Sequence, residues 1–394
     1  MEFKLVKENL QRLGKIGTDL EGGISRVFGS TAMEEGKRAV EIYFRECGLR
    51  VYTDPAGNVH GLLSCGRPDA EDILLGSHLD TVKQGGLFDG LLGVVAAAEV
   101  CRRLTERKIS LKKDLHVIAT NGEEGNELGG TFGSRAMMGL LNLQDTDYAE
   151  KAERFGYSPR ALRQARLDTA RAVCWLELHI EQGPTLDRRG EKLGIVTGIV
   201  GLRRYRVTVL GESNHAGTTM MEDRNDALVS AAKLILMGDE LARQMGNHLV
   251  ETVGQLTLYP GSAPVIPGRV EMTLEIRNES NELLDAYLEE YRKRAQALAE
   301  IQIAPLVSKE PAVCDSRLIA LMEQVCRDKK MAFRRMPSGA THDGNAMATQ
   351  MPIGMLFVPS RNGISHSKEE WTDWEDIDRG LEIFYETVKR LALE

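Results

Sequence analysis

Apolar runs and amphipathic stretches alternate along the first half of the chain. Ile73–Ser77, Leu115–Thr120 and Val173–Leu178 are short apolar runs with the length and composition of buried strands. Thr31–Cys47 and Leu91–Glu106 instead repeat their apolar residues about every three to four positions, which predicts helices. Strands that alternate with helices in this way are typical of an α/β sheet with helices on its faces.

The middle of the chain follows a different order of elements. Its pattern predicts a strand, a helix, two strands, a helix and a strand, which is the order of a ferredoxin-like unit. These elements are Arg203–Leu210, Arg224–Met245, His248–Tyr259, Arg269–Arg277, Ser280–Glu300 and Ile301–Leu306. After Asp315 the first pattern returns. We therefore predict a larger α/β domain in two parts, residues 1–202 and 314–394, with a smaller βαββαβ domain of residues 203–313 inserted between them.

Composition argues against several classes of protein. The chain has 50 Lys and Arg against 58 Asp and Glu, a net charge of −8, whereas nucleic-acid-binding proteins normally carry a basic excess. No apolar run reaches the roughly 18 residues of a membrane helix, and the charged N-terminal stretch lacks an apolar signal region. The six cysteines form no CxxC pair and are expected to be reduced thiols. We therefore expect a cytoplasmic protein that binds neither nucleic acid nor membrane.

Candidate chemistry begins at the end of the first buried strand. His78 and Asp80 stand two residues apart, so their side chains share a face of the strand. A carboxylate beside an imidazole can accept its free N–H and leave the other ring nitrogen for a metal ion. Asp89 precedes the next predicted helix and taken alone would be interpreted as its cap. Asp54 and His60 have no such neighbours, and we interpret them as turn and surface residues.

Acidic and imidazole side chains also follow the later strands. Glu123 and Glu124 come directly after the second buried strand. In water such a pair would be an ordinary solvated loop, but beside a cation one carboxylate can ligate while the other serves as a base. His366 stands in the loop after the strand predicted at Ile353–Val358. Each of these loops therefore offers a candidate metal ligand.

Glu177, His179 and Glu181 alternate along the third buried strand, where charged groups are costly unless they find partners. Ligands of open α/β sheets bind beyond the carboxyl ends of the strands, where all these groups are expected. Nitrogen and carboxylate ligands without cysteine favour Zn²⁺, Mn²⁺ or a similar divalent ion. Five candidates exceed the roughly three protein ligands of a catalytic zinc, but they fit two ions that share one carboxylate. The five are His78, Asp89, Glu124, His179 and His366.

The ordered motifs resemble those of the M20-type dinuclear metallohydrolases over nearly the whole chain. They are GSHLDT at 76–81, DG at 89–90, EEG at 123–125, LHIEQGP at 178–184, GESNHAGTT at 211–219 and SHS at 365–367. Within that family they resemble the hydantoinase/carbamoylase branch, which contains allantoate amidohydrolases, N-carbamoyl-L-amino acid hydrolases and β-ureidopropionases. His179 favours this branch, because related aminoacylases and dipeptidases usually carry a carboxylate at its position.

The resemblance implies a zinc-aminopeptidase-like catalytic domain, with a central mixed sheet flanked by helices, and an inserted domain that serves as lid and dimerisation surface. It also implies two divalent ions per subunit. Zn²⁺ is the expected ion, and Mn²⁺, Co²⁺ or Ni²⁺ are the alternatives. His78 and His179 would hold one ion, Glu124 and His366 would hold the other, and Asp89 would bridge them.

Further roles follow from the same resemblance. Glu123 would be the general base, and Asp80 would orient the first histidine of the set. Arg277 would clamp the substrate carboxylate, since a guanidinium group matches a carboxylate bidentately. Gln182 would hydrogen-bond the substrate. His215 would support the substrate carbonyl oxygen in the active site of the partner subunit, so the enzyme would be a homodimer.

The implied activity is hydrolysis of the carbamoyl C–N bond of an N-carbamoyl amino acid or an allantoate-like substrate by metal-bound hydroxide. The substrate would be a small molecule with a carboxylate. The alternative is an N-acyl amino acid deacylase or dipeptidase of the wider family. Pro264 stands where the family usually has Asn, and Thr341 where it usually has Gly. The sequence therefore leaves open the exact substrate, its stereochemistry, the native metal and the resting position of the lid.

Overall fold

The computed structural model describes residues 4–394, which divide into two compact units. The first unit comprises the residues up to Gly198 together with Val313–Glu394, and the second comprises Ile199–Ala312. The helices are α1 (Lys4–Gly14), α2 (Thr31–Glu46), α3 (Leu91–Glu106), α4 (Phe132–Met137), α5 (Thr146–Arg154), α6 (Pro159–Gln164), α7 (Thr185–Arg189), α8 (Ala227–Met245), α9 (Asn281–Gln296), α10 (Ser316–Asp328), α11 (Asp343–Met347) and α12 (Trp374–Leu393). The strands are β1 (Arg50–Thr53), β2 (Val59–Leu63), β3 (Asp72–His78), β4 (Asp114–Thr120), β5 (Ala172–Ile180), β6 (Gly194–Ile199), β7 (Gly201–Leu210), β8 (Val250–Thr252), β9 (Leu256–Tyr259), β10 (Arg269–Asn278), β11 (Glu300–Lys309), β12 (Ala312–Val313), β13 (Arg334–Ser338) and β14 (Ile353–Val358).

The larger sheet has nine strands in the order β1-β2-β4-β3-β5-β14-β6-β12, with β13 paired to β6. β3 runs parallel to β4 and β5, and β5 runs parallel to β14. β1 and β2 pair antiparallel with each other, and β2 with β4. The predicted α/β class, with a central mixed sheet flanked by helices, is confirmed.

The central strands form where the sequence has continuous apolar runs. β3, β4, β5 and β14 are buried along almost their whole length, because helices cover the faces of the sheet. The helix α3 packs against β3, β4 and β5. α2 begins after Ser30, whose side chain accepts a hydrogen bond from the backbone N–H of Met33 and so satisfies one of the free donors of the first turn.

The second unit has a five-stranded antiparallel sheet in the order β11-β7-β10-β8, with β9 also paired to β10. The helices α8 and α9 pack on this sheet, over a core that includes Val207, Leu274 and Tyr287. The prediction of a single strand at His248–Tyr259 is wrong, because the structure divides this segment into β8 and β9. Thr252 pairs with Glu275, and Leu256 pairs with Met272. The chain advances four residues from Thr252 to Leu256, whereas the partner strand β10 advances only three. The extra residue breaks the strand.

A helical segment that the pattern did not predict lies between β4 and β5. α4, α5 and α6 surround a small apolar cluster that includes Phe28, Ala56 and Phe132. These helices are short, so each offers too few turns for its apolar spacing to stand out in the sequence. No helix within residues 4–394 is long and apolar enough to cross a membrane.

Candidate metal centre

The carboxyl ends of neighbouring parallel strands bring the predicted site residues to one edge of the larger sheet. His78 is the last residue of β3 and pairs with Thr120, the last residue of β4. The loop that carries Glu123 therefore starts beside His78. His179 lies near the end of β5, on the other side of β3. This is the edge at which open α/β sheets bind their ligands.

Three imidazole rings converge on the carboxylate of Asp89. The Nε2 atom of His78 lies 3.4 Å from Asp89 Oδ1, and the Nε2 atom of His179 lies 3.3 Å from the same oxygen. The Nε2 atom of His366 lies 3.2 Å from Asp89 Oδ2 and 3.3 Å from Glu124 Oε1. The two oxygens of Asp89 thus face two different ligand groups, as a bridging carboxylate would.

These contacts define two sets of potential ligand atoms, each within 4.8 Å of one another. One set is His78, Asp89 and His179, and the other is Asp89, Glu124 and His366. The interpretation of Asp89 as a helix cap is wrong. The cap position of α3 belongs to Gly90, no side chain caps the helix, and the Asp89 carboxylate is occupied by imidazole nitrogens.

The electrostatics of the cluster suit a cation. Burial raises the pKa of Asp89, but hydrogen bonds from three imidazoles outweigh burial and hold the pKa well below its usual range. Burial and the Asp89 charge raise the pKa of Glu124 to about 7. Glu124 Oε1 is buried without a hydrogen-bond donor among residues 4–394. A buried carboxylate oxygen without a donor is costly unless it meets a proton or a metal ion.

The second ring nitrogens of the buried histidines are fixed by backbone carbonyl groups. Nδ1 of His78 lies 2.9 Å from the carbonyl oxygen of Asp80, and Nδ1 of His179 lies 2.9 Å from that of Ile180. A carbonyl oxygen only accepts hydrogen bonds, so each Nδ1 carries a proton and Nε2 is the ring nitrogen that faces Asp89. The Nε2 atom of His179 also accepts a hydrogen bond from the backbone N–H of Gly90 at 3.2 Å.

Asp80 therefore contacts His78 chiefly through its backbone, since its Oδ1 lies 3.9 Å from His78 Nδ1. The Asp80 carboxylate accepts hydrogen bonds from the backbone N–H groups of Gly122, Glu123 and Glu124, each at 3.0 Å. Its visible role is to hold the loop of the two glutamates against the end of β3.

Glu123 lies at the same edge, and its carboxylate comes within 4.8 Å of potential ligand atoms of His78 and Glu124. The residue is 8% exposed. Burial raises its pKa well above the usual value; Glu124 and Asp343 add to the rise, while His78 opposes it. A carboxyl group with a raised pKa has the proton affinity that a general base needs near neutral pH.

Gln182 contacts the bridging carboxylate. Its Nε2 lies 3.2 Å from each oxygen of Asp89, and its Oε1 is buried without a hydrogen-bond partner in the described part of the chain. The backbone of Gln182 is left-handed, with φ of 58°. The side-chain oxygen is therefore available to accept a hydrogen bond from a ligand.

His215 and Arg277 belong to the second unit. The backbone N–H groups of Gly217 and Thr218 donate to His215 Nδ1 at 3.0 and 3.2 Å. The neutral ring therefore carries its proton on Nε2, which makes that atom a donor. The Arg277 guanidinium binds Glu275, with Nε 2.8 Å from Oε1.

Several site residues carried no signal in the sequence. Glu370 is buried and accepts hydrogen bonds from the backbone N–H groups of Phe88 and Asp89 at 2.9 and 3.1 Å, and from the Ser365 hydroxyl at 2.8 Å. It thus ties the loop of Asp89 to the loop of His366. In the sequence it is one of two glutamates in a polar run, and nothing marks it as buried.

A layer of buried polar groups supports the ligand residues from inside the sheet. Glu177 accepts hydrogen bonds from the Ser77 hydroxyl at 2.6 Å and from the Trp175 indole at 3.2 Å. The ring of His342 packs edge-on against His179, with centroids 4.7 Å apart. Burial lowers the pKa of His342 well below its usual value, so this ring is neutral.

The interpretation of His60 as a surface residue is wrong. His60 is 1% exposed and lies in β2, where its Nδ1 is 2.8 Å from Nε2 of His116. β1 covers one side of β2 and β4 the other, and Tyr52 stacks on the His60 ring with centroids 4.5 Å apart. The sequence placed His60 beside a turn, but its burial comes from strands that lie elsewhere in the chain.

Comparison with known proteins places these features in context. A model of Peptidase family M20/M25/M40 matches residues 74–390. The N-carbamoyl-L-amino acid amidohydrolase of Geobacillus stearothermophilus is 38% identical over 98% of this chain and 97% of its own. The allantoate amidohydrolase of Escherichia coli (strain K12) is 32% identical over 98% of this chain and 97% of its own. An amidase of the hydantoinase/carbamoylase family from Burkholderia multivorans has a similar structure, with a TM-score of 0.89 and 28% identity over 99% of this chain and 98% of its own.

Proposed function

Because the chain belongs to Peptidase family M20/M25/M40, we propose that it is a metal-dependent amidohydrolase of the hydantoinase/carbamoylase type. Its reaction is hydrolysis of the carbamoyl C–N bond of an N-carbamoyl-L-amino acid or an allantoate-like substrate. The 38% identity to an N-carbamoyl-L-amino acid amidohydrolase along 98% of the chain carries this proposal. The names of the relatives favour it over the N-acyl deacylase and dipeptidase alternative. The free cysteines agree with a reducing, cytoplasmic setting.

The ligand cluster fits two divalent ions per subunit, with Zn²⁺ as the first choice and Mn²⁺, Co²⁺ or Ni²⁺ as alternatives. His78 and His179 would hold one ion, Glu124 and His366 would hold the other, and Asp89 would contribute a ligand to both. The donor-free oxygen of Glu124 and the two-sided contacts of Asp89 support this assignment. When bound, such ions lower the pKa of water and polarise a carbonyl oxygen.

Glu123 moves the proton. Its carboxylate is held at the cluster by the loop that Asp80 fixes through three backbone N–H groups. Glu123 Oε takes the proton of the attacking water as the carbonyl carbon becomes tetrahedral, and it then delivers that proton to the leaving nitrogen. The products of a carbamoyl substrate are an amino acid, ammonia and CO₂.

Residues outside the metal cluster bind and orient the substrate. Gln182 Oε1 accepts a hydrogen bond from a ureido N–H, and His215 Nε2–H donates to the carbonyl oxygen. Arg277 clamps the substrate carboxylate, which displaces Glu275 from the guanidinium group. The Arg277 side chain is 33% exposed, so an incoming carboxylate can reach it. His215 acts in the site of the partner subunit, which makes the enzyme a homodimer.

A substrate panel tests the activity directly. The enzyme is stripped with a chelator, reloaded with Zn²⁺ or Mn²⁺, and offered allantoate, N-carbamoyl-L- and D-amino acids, N-carbamoyl-β-alanine and N-acetyl amino acids. We expect ammonia release from allantoate or an N-carbamoyl-L-amino acid. Acetate release from N-acetyl substrates without ammonia release from any carbamoyl substrate would contradict the proposal and favour the deacylase alternative.

A further inference from the structure

A second pocket lies in the first unit, at the opposite ends of the strands that carry the metal centre. Its volume is about 540 Å³, and its lining includes Arg50, Asp72, Asp114, His116 and Arg171. These residues come from β1, β3 and β4 and from the segment just before β5. Leu62 and Tyr52 supply apolar surface beside the charged groups. The pocket thus offers both signs of charge within one concave surface.

The strand geometry separates this pocket from the metal centre. Asp72 is the first residue of β3 and His78 is the last. Six steps along a strand at about 3.3 Å each span about 20 Å. A small ligand in this pocket therefore cannot touch the candidate metal ligands, and the pocket is a separate site.

A chain of buried hydrogen bonds fixes the protonation of His116. Asp54 accepts hydrogen bonds from the backbone N–H of Asn58 at 3.0 Å and from its side chain at 2.7 Å. His60 Nε2 lies 3.2 Å from Asp54 Oδ2 and therefore donates to it. His60 Nδ1 is then an acceptor, and His116 Nε2 donates to it at 2.8 Å.

His116 is left with Nδ1 as a bare acceptor at the pocket. The residue is only 4% exposed, and no donor for Nδ1 exists among residues 4–394. Burial and the neighbouring His60 lower the pKa of His116 well below its usual value, in agreement with a neutral ring. Because this nitrogen has no donor in the described chain, a ligand that brings an N–H group can donate to it.

Whereas His116 Nδ1 lacks a hydrogen-bond donor among the described residues, the arginines of the pocket lack hydrogen-bond acceptors. Within residues 4–394, the guanidinium groups of Arg50 and Arg171 form no side-chain hydrogen bond and no ion pair within 4.0 Å. Asp72 and Asp114 share the lining. Burial raises the pKa of Asp72, and the Arg171 charge opposes this rise. A ligand that satisfies both kinds of group must carry an anionic end for the arginines and a cationic N–H end for His116 and the aspartates.

We propose that this pocket binds a free α-amino acid. Its carboxylate binds at Arg50 and Arg171, and its ammonium group donates to His116 Nδ1 beside Asp72 and Asp114. An amino acid is also the class of product that the proposed reaction releases, but the assignment rests on the lining charges alone. The pocket holds no group of the metal centre, so it is a ligand site and not a second active site.

Calorimetric titration of the metal-loaded full-length enzyme tests the charge pattern. L-Alanine is compared with acetate, which lacks the ammonium group, and with ethylamine, which lacks the carboxylate. We expect L-alanine to bind at least about tenfold more tightly than either acetate or ethylamine. Loss of one charged contact of roughly 1.4 kcal/mol changes the affinity tenfold. Equal binding of acetate and L-alanine would overturn the assignment of a zwitterion.

Variants of the two lining arginines test whether L-alanine binds in this pocket. Arg171→Gln and Arg50→Gln should each weaken L-alanine binding at least about tenfold. Arg163→Gln changes an exposed arginine of α6 that does not line the pocket, and should leave the affinity unchanged. All three variants should retain wild-type kcat, which shows that they fold. Unchanged affinity in both pocket variants would overturn the proposal, whatever the substrate panel shows for the metal centre.

Crystals of the metal-loaded enzyme soaked in L-selenomethionine give an independent location. We expect an anomalous selenium peak in the pocket bounded by Arg50, His116 and Arg171. Selenium only at the metal centre would contradict the proposal. A pocket peak without calorimetric binding would mean binding at crystal concentration only, and would also overturn it.

Discussion

At the scale of single residues, the metal centre depends on the orientation of imidazole rings around Asp89. The backbone carbonyl groups of Asp80 and Ile180 fix the protons of His78 and His179. These hydrogen bonds orient the two rings through atoms other than the Nε2 atoms that face Asp89. Glu123 lies at the same cluster and is the residue to which we assign proton transfer.

Glu123→Gln should therefore retain the metal ions and lose activity. The amide has nearly the same shape but cannot accept the proton, so we expect kcat to fall by about 10²- to 10⁴-fold. Metal content by mass spectrometry of the purified protein should stay at the wild-type value. Glu127→Gln, an exposed position in the same loop, is the matched control. A near-normal kcat in Glu123→Gln would remove this residue from the role of base.

The residues that could be predicted from sequence share one property: each follows an apolar strand directly or within a short loop. His78, Glu123 and His179 are examples, because the strand pattern predicts that their side chains meet at the carboxyl edge of the sheet. Glu370 could not be found in this way. Its burial depends on elements that are remote in the chain, and a single sequence does not show those contacts.

At the scale of elements, two loops must keep a fixed separation for the centre to form. The loop after β3 carries Asp89, and the loop after β14 carries His366. Glu370 joins them through hydrogen bonds to the backbone of Phe88 and Asp89 and to the Ser365 hydroxyl. It touches no candidate metal-binding atom and is therefore a positioning residue.

Glu370→Ala should weaken metal binding, because it leaves two buried N–H groups unpaired and frees the Asp89 loop. We expect a loss of about 10- to 100-fold in Zn²⁺ affinity, measured by competition with a chromogenic chelator. Glu370→Gln keeps an oxygen for both N–H groups and should restore most of the affinity. Glu369→Ala, at an exposed neighbour, should have no effect. Wild-type affinity in Glu370→Ala would contradict the positioning role.

The second unit contains a buried carboxyl group that couples its stability to pH. Glu251 in β8 has an oxygen without a hydrogen-bond partner in the described chain, and burial raises its pKa to about 7, with a further contribution from Asp239. The pKa is higher in the folded than in the unfolded state. The stabilisation is therefore present below the unfolded value, near 4.5, and is lost as pH rises through about 7.

Glu251→Gln should remove this pH dependence. We expect its thermal unfolding midpoint to exceed that of the wild type at pH 8 and the difference to shrink or reverse at pH 5. Glu240→Gln, an exposed position on α8, should follow the wild-type profile. Parallel profiles for the wild type and Glu251→Gln would show that Glu251 is ionised in both states.

The elements that the pattern predicted are the buried ones. β3, α3, β4 and β5 were found because continuous burial requires continuous apolar sequence. The bulge between β8 and β9 and the short helices α4–α6 were missed. A one-residue bulge leaves no periodic trace, and helices of about two turns offer too few apolar positions to define a face.

At the scale of the whole molecule, we propose that His215 completes the site of a second copy of the chain. His215 is exposed, and its Nε2 is a donor with no partner inside the described chain. An exposed donor held in a defined tautomer suits a substrate that another subunit binds. The change in pattern near residues 203 and 314 predicts an inserted domain, whereas a pairing of subunits would leave no such mark in the sequence.

Mixing two inactive variants tests the shared site. His215→Ala lacks the donor and His78→Ala lacks a metal ligand, so each alone should be nearly inactive. After verified subunit exchange each hybrid dimer has one intact site, and an equal mixture should recover about a quarter of wild-type activity. No recovery after exchange would show that His215 serves its own subunit or none.

The central claim is that distant parts of the chain converge to hold two divalent cations. Anomalous diffraction from crystals of the Zn²⁺-loaded enzyme, recorded above and below the zinc absorption edge, tests it most directly. The account predicts two zinc peaks, one ligated by His78 and His179 and the other by Glu124 and His366, with Asp89 bound to both. Zinc absent from this edge of the sheet, or bound there without Asp89, would contradict it.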